Sequence, residues 1–149
     1  MSEFVLDDFD ATDTAVMEII PPGGADAIGT ITFAGPGHPK TITQSDRVTL
    51  QNQKEAADQA QARVNGRKWK ADVPDAEQIR TRNATFVVER IVAWSGIKQR
   101  GDDGTVTEVP FSDALARTIF LDRRKEWLLH AALEFLTAER SFTSRSATS

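Results

Sequence analysis

The chain has 149 residues, 40% hydrophobic and 27% charged, with a formal net charge of −4. Those proportions describe one globular domain with a modest core. There is no Cys, and the two His, His38 and His130, are far apart. This excludes a disulfide scaffold, a thiolate nucleophile and any Cys-ligated zinc or iron–sulfur centre, and it argues against a His-rich metal site. The longest apolar runs, such as 86–88 and 127–129, are too short to span a bilayer. Met1-Ser2-Glu3 lacks the basic start of a secretory leader, so a soluble intracellular protein is expected.

Charge is distributed unevenly. Seven acids (Glu3, Asp7, Asp8, Asp10, Asp13, Glu18 and Asp26) precede Lys40 without a single Lys or Arg; from Lys40 onward eighteen bases face fifteen acids. An acidic arm beside a mildly basic body can fold back on that body or steer a basic partner at low salt.

In chain order, residues 1–13 mix acids with Phe4, Val5, Leu6 and Phe9 and are expected to be a flexible acidic arm. Residues 14–20 are rich in β-formers and read as a strand, ended by Pro21-Pro22-Gly23-Gly24. Residues 28–34 alternate Ile31 and Phe33 with Thr30 and Thr32, the pattern of a half-buried strand. The two predict a hairpin spanning 14–34, and Gly35-Pro36-Gly37-His38-Pro39 ends it. A hairpin alone is marginal in water and must pack on the helices of the body.

A helix is expected over about 45–64, capped by Ser45 or Thr43, polar except for Val48, Leu50, Val64 and a few Ala, and stopped at Asn65-Gly66. Residues 67–73 read as a basic linker anchored by Trp69. Pro74 suits the first turn of a second helix, with Asp75 and Glu77 complementing its dipole. That helix is expected to reach Trp94, with Ile79, Phe86, Val87, Ile91 and Trp94 near one face, although 86–92 is β-branched enough to form a strand. Short strands at about 97–99 and 106–109 flank the turn Gly101-Asp102-Asp103-Gly104. Ser112 is expected to cap a helix to Leu121, and Asp122 a final helix over about 123–140, with Phe111, Trp127 and Phe135 in the core. Residues 143–149 read as a disordered tail. The fold class is therefore α+β. An N-terminal β-hairpin (14–34) packs on a mostly helical body (45–142) of about four helices with a short second hairpin. Residues 14–142 form a single domain.

Sites of chemistry are sparse. His130 lies between Glu126 and Glu134 at helical spacing, which a surface ion pair explains better than a metal site. The Gly35–Lys40 segment lacks the spacing of a phosphate loop, and its two prolines remove amide donors. Arg67-Lys68-Trp69-Lys70 mixes cations with an aromatic, a weak single-strand nucleic-acid signal on an acidic protein. Asp102 and Asp103 read as turn residues. No Gly-x-Ser-x-Gly frame occurs. No catalytic residue, metal ligand or cofactor is expected, and the chain is not expected to be an enzyme.

The order of segments carries a resemblance. An acidic lead precedes a hairpin ending in Thr32-Phe33-Ala34-Gly35-Pro36-Gly37-His38-Pro39. A polar helix comes next, then the stretch Phe86 to Gly96 containing Ala93-Trp94-Ser95. After the Gly-Asp turn, Val109-Pro110-Phe111-Ser112 opens a helix, and an aromatic-rich last helix ends near Arg140-Ser141-Phe142. This resembles the tail assembly chaperones of long-tailed bacteriophages and prophages over most of residues 14–142. The basic run Arg123-Arg124-Lys125 departs from it. The resemblance implies a non-enzymatic role in the host bacterial cytoplasm. The protein would bind the helical tape-measure protein, help recruit tail-tube subunits and leave before the tail matures. Some members are also made in a longer, frameshifted form. Self-association is compatible with this role; a membrane or nucleic-acid partner is not expected. The candidate partner-contact residues are Phe4, Leu6, Phe9, Val48 and Trp69. The rival expectations are a structural virion component (head decoration, neck or tail subunit) and a small nucleic-acid-associated regulator working through Arg67–Lys70.

Overall fold

A computed structural model of the chain describes residues 5–24, 26–68 and 74–143. The alternation in the N-terminal segment produces β1 (Thr14–Ile19) and β2 (Gly29–Ala34), paired antiparallel with Ala15 opposite Phe33 and Met17 opposite Ile31. Ala15, Met17, Ile19, Ile31 and Phe33 face the core, while Val16, Glu18 and Thr32 face away. The hairpin is the expected one, and its chain is tightly laid. A Cβ on Gly35 would fall 2.0 Å from the Thr12 carbonyl oxygen, so only glycine lets β2 leave the sheet there. Ahead of β1, residues Leu6–Phe9 form a 3-10 turn.

Helix α1 (Pro39–Val64) begins six residues earlier than the sequence predicts. Neither Ser45 nor Thr43 caps it. His38 does, its Nδ1 accepting the Lys40 N–H at 3.1 Å, and Pro39 supplies a pre-set φ at the first position. The segment that ends the sheet therefore also starts the helix.

Helix α2 (Ala76–Glu89) is capped by Asp75, whose carboxylate accepts the Gln78 N–H while the Gln78 side chain accepts the Asp75 N–H. Pro74 thus precedes the cap instead of occupying the first turn. The helix stops at Arg90, and Ile91–Ser95 forms strand β3 on the far side of β2. The expected continuation to Trp94 is overturned here, together with the single apolar face it implied. Ile79 is exposed, whereas Ile91 and Trp94 reach the core from a strand. The physical reason is tertiary. Ile91 and Val92 are β-branched, and β2 offers an unpaired edge that β3 completes. Arg90, 7% exposed, fixes the break by donating Nε and Nη2 to the Ala34 carbonyl at 3.0 and 2.6 Å. Its guanidinium lies between the Phe86 and Phe142 rings, and burial pushes its pKa down.

β4 (Lys98–Arg100) and β5 (Val106–Glu108) form the second hairpin, with Gly104 at a φ of 84° in its turn. Trp94 anchors this region, donating its indole N–H to the Val109 carbonyl at 2.8 Å and meeting Phe111 edge to face at 5.1 Å. α3 (Asp113–Leu121) is capped by Ser112 as expected.

The last helix is shorter than the expected 123–140. Asp122 caps only a 3-10 turn, Arg123–Lys125, because its carboxylate is engaged by the Arg124 N–H and by both the Arg124 and Lys125 side chains. α4 then runs from Glu126 to Thr137, the extended Ala138 ends it, and a 3-10 turn (Glu139–Phe142) folds Phe142 back onto Phe135.

The fold is α+β. The inner sheet face packs against α4, and α2 and α3 complete the core around Phe33, Ile31, Val87, Phe120 and Leu129. Each such fully buried side chain contributes about 1.5–3 kcal/mol. Phe111, Trp127 and Phe135 are half-buried and pack against this cluster from its margin.

Candidate functional site

α1 is 26 residues long, and only Gln44 among them is buried. Its first turns are tied to the body. Thr41 donates its hydroxyl to the Ala34 carbonyl at 3.3 Å, and Gln44 donates its amide to the Phe86 carbonyl at 3.1 Å. Arg47 grips Glu89 with both terminal guanidinium nitrogens, the Nη2–Oε1 bond measuring 2.7 Å. That pairing is the main reason the Glu89 carboxyl is held below its usual range; burial opposes it and Gln44 adds to it. Beyond Arg47, no side-chain hydrogen bond or ion pair ties 48–64 to the rest of the described residues. Val48, Leu50 and Val64 are exposed on this free length.

Between the departing helix and α2 lies an open cleft of about 810 Å³. Gln44, Arg47, Val48, Gln51, Asn52 and Lys54 line it from α1, and Arg82, Asn83, Phe86 and Glu89 from α2. Its walls are amides and charges around the apolar Val48 and Phe86. That arrangement can hold another chain by hydrogen bonds and a small apolar contact. It brings together no nucleophile, base and oxyanion donors.

The sequence-predicted contact residues are scattered. Val48 lines this cleft. Leu6 and Phe9, 71% and 70% exposed, belong to the 3-10 turn ahead of β1 and do not line it. Phe4 and Trp69 lie outside the described residues, as do Lys70 of the basic cluster and the tail from Ser144. Gln44, Arg47 and Glu89, which set the angle of α1, were missed by sequence reasoning. The only signal for them was polar residues at positions that helical periodicity turns inward.

Elsewhere, a smaller cleft of about 310 Å³ beside α2 and α4 includes Arg80, His130 and Glu126. Arg80 donates to the Leu121 carbonyl at 2.6 Å and lies 3.5 Å from Glu126, while Arg123 pairs with Glu77. His130 is exposed on α4. Among the described residues no group of three or more His, Asp or Glu is placed to hold a metal. The Gly35–Lys40 segment is a turn and a helix cap. Asp103 accepts the Thr105 N–H at 3.0 Å, which holds its carboxyl below the usual range. Among the described residues, no helix is long and apolar enough to cross a membrane. No family model matches the chain, and no curated protein or solved structure matches it significantly.

Proposed function

We propose that this chain is a non-enzymatic morphogenesis factor of a long-tailed bacteriophage or prophage. It acts in the host cytoplasm as a tail assembly chaperone that binds the helical tape-measure protein and assists assembly of the tail tube. The observation that carries the reading is the free length of α1. Seventeen residues, 48–64, extend past the last anchor at Arg47 and present isolated apolar side chains in a polar surface. A length of helix that no side-chain hydrogen bond or ion pair ties to the rest of the described residues offers a face to a helical partner. Its sparse apolar content suits a partner that must later be released. The order of segments in the sequence, which resembles these chaperones, supports the same reading.

Two measurements test it. Co-expression with the tape-measure protein of the same phage should yield a soluble complex, and Leu50→Asp should abolish it without changing the melting temperature. Mass spectrometry should then find the chain in infected-cell lysate and not in purified virions. Recovery in stoichiometric amounts from mature particles would make it a structural subunit and overturn the reading.

A further inference from the structure

The outer strand of the sheet carries an inference independent of α1. In the three-stranded sheet β2 is central, so β1 and β3 are the edges. The direction of the β1 backbone is set by three observations. The Gly35 N–H donates to the Asp13 carbonyl at 2.7 Å, the Ala34 N–H turns the other way to the Arg90 carbonyl at 2.7 Å, and the Ala15, Met17 and Ile19 positions share the Asp13 parity against β2. The N–H and C=O groups of Thr14, Val16 and Glu18 therefore point off the sheet. Thr12, of the same parity, already donates its N–H to the Phe142 carbonyl at 2.8 Å, which caps the edge just before β1. Among the described residues no strand pairs with the outward groups of Thr14, Val16 and Glu18.

Edge strands are normally blunted by Lys, Pro, a bulge or a covering segment. The β3 edge has such a device, since the register of β2 and β3 shifts between Thr32 and Phe33. β1 itself carries none of these residues, since 14–20 contains no Lys, Arg, Pro or Gly, and among the described residues the 3-10 turn Glu139–Phe142 packs beside it. On the outward sheet face beside it, Val16, Ile20 and Ile28 are 53%, 48% and 58% exposed.

We propose that β1 is a self-association edge whose occupant is β1 of a second copy of this chain. Two copies pair antiparallel about a two-fold axis at Val16. Val16 then faces the partner's Val16, and Thr14 faces the partner's Glu18. Each of these pairs exchanges both backbone hydrogen bonds and doubles the sheet. The strand is self-complementary in this register. Its single charge, Glu18, meets a threonine hydroxyl and never its own copy, and the exposed valines meet across the axis. The ladder ends at Thr14, because the next outward position, Thr12, is already bonded to Phe142.

The test uses the full chain, which has no native thiol. Its mass in solution should rise from monomer to dimer between low micromolar and about 1 mM. Val16→Lys, which places two cations at the axis on an exposed face, should remain monomeric with an unchanged circular dichroism spectrum and melting temperature. Val16→Cys under mild oxidation should cross-link to itself about tenfold faster than the exposed control Thr107→Cys. A full chain that stays monomeric with no preferential cross-linking overturns the proposal. So does a dimer that survives Val16→Lys. If a chain ending at Thr143 dimerises while the full chain does not, the edge belongs to the chain's own last residues, which equally overturns it.

Discussion

The sheet with α2 and α4 and the free length of α1 are built by opposite rules. In the first, inward positions carry Ile31, Phe33, Val87 and Leu129, all at most 2% exposed. The second begins past Gln44 and the partly exposed Arg47, which tie the base of the helix to α2, and none of its residues is buried. Both are regular secondary structure, yet only one contributes to the cohesion of the domain. A 26-residue helix with so little burial leaves most of its surface to solvent, and under the proposed function that surface is where a partner would be met.

Substitutions can break or sharpen that contrast. The largest effect belongs to the packed half. Phe33→Ala should cost about 3–5 kcal/mol in chemical denaturation, because the ring is fully buried between β1 and Phe135. Next comes the junction. Arg90→Ala should cost about 1.5–3 kcal/mol, since it deletes two charge-assisted bonds to Ala34 and uncovers the Phe86 and Phe142 rings. At the base of α1, Glu89→Gln should cost about 1 kcal/mol or less near neutrality. Because the folded-state carboxyl titrates below its ordinary range, its contribution is present above the unfolded carboxylate pKa. It is lost as pH falls through the folded one. The difference between wild type and Glu89→Gln should therefore vanish in acid, which denaturation curves at a series of pH values would reveal. The smallest effect belongs to the free length. Leu50→Ser, at a position 65% exposed, should change stability by no more than about 0.5 kcal/mol. A loss as large as that of Phe33→Ala would show α1 to be packed.

Where local chemistry decides the structure, the sequence was readable. Alternation of Ile31 and Phe33 with threonines announced the hairpin, Ser112 announced α3, and Gly101 to Gly104 announced the second turn. Where a distant partner decides, it was not. Residues 86–95 carry a helical and a strand pattern together, and the unpaired edge of β2, over fifty residues away, resolves them at Arg90. The start of α1 was hidden because His38 is an unusual cap and the preceding glycines and prolines read as loop alone. The cleft was half legible. Val48 stood out as an apolar residue in a polar helix, but the Arg47–Glu89 clamp joins two helices, and the polar residues at inward positions in each do not name their partner.

The most direct test of the proposal that α1 is free and binds a partner is amide hydrogen exchange on the protein alone and in the presence of the tape-measure protein proposed as that partner. Residues 48–64 should exchange much faster than α2 and α4 in the free protein and become protected in the complex. Slow exchange of 48–64 in the free protein, or protection on binding confined to other elements, would contradict it.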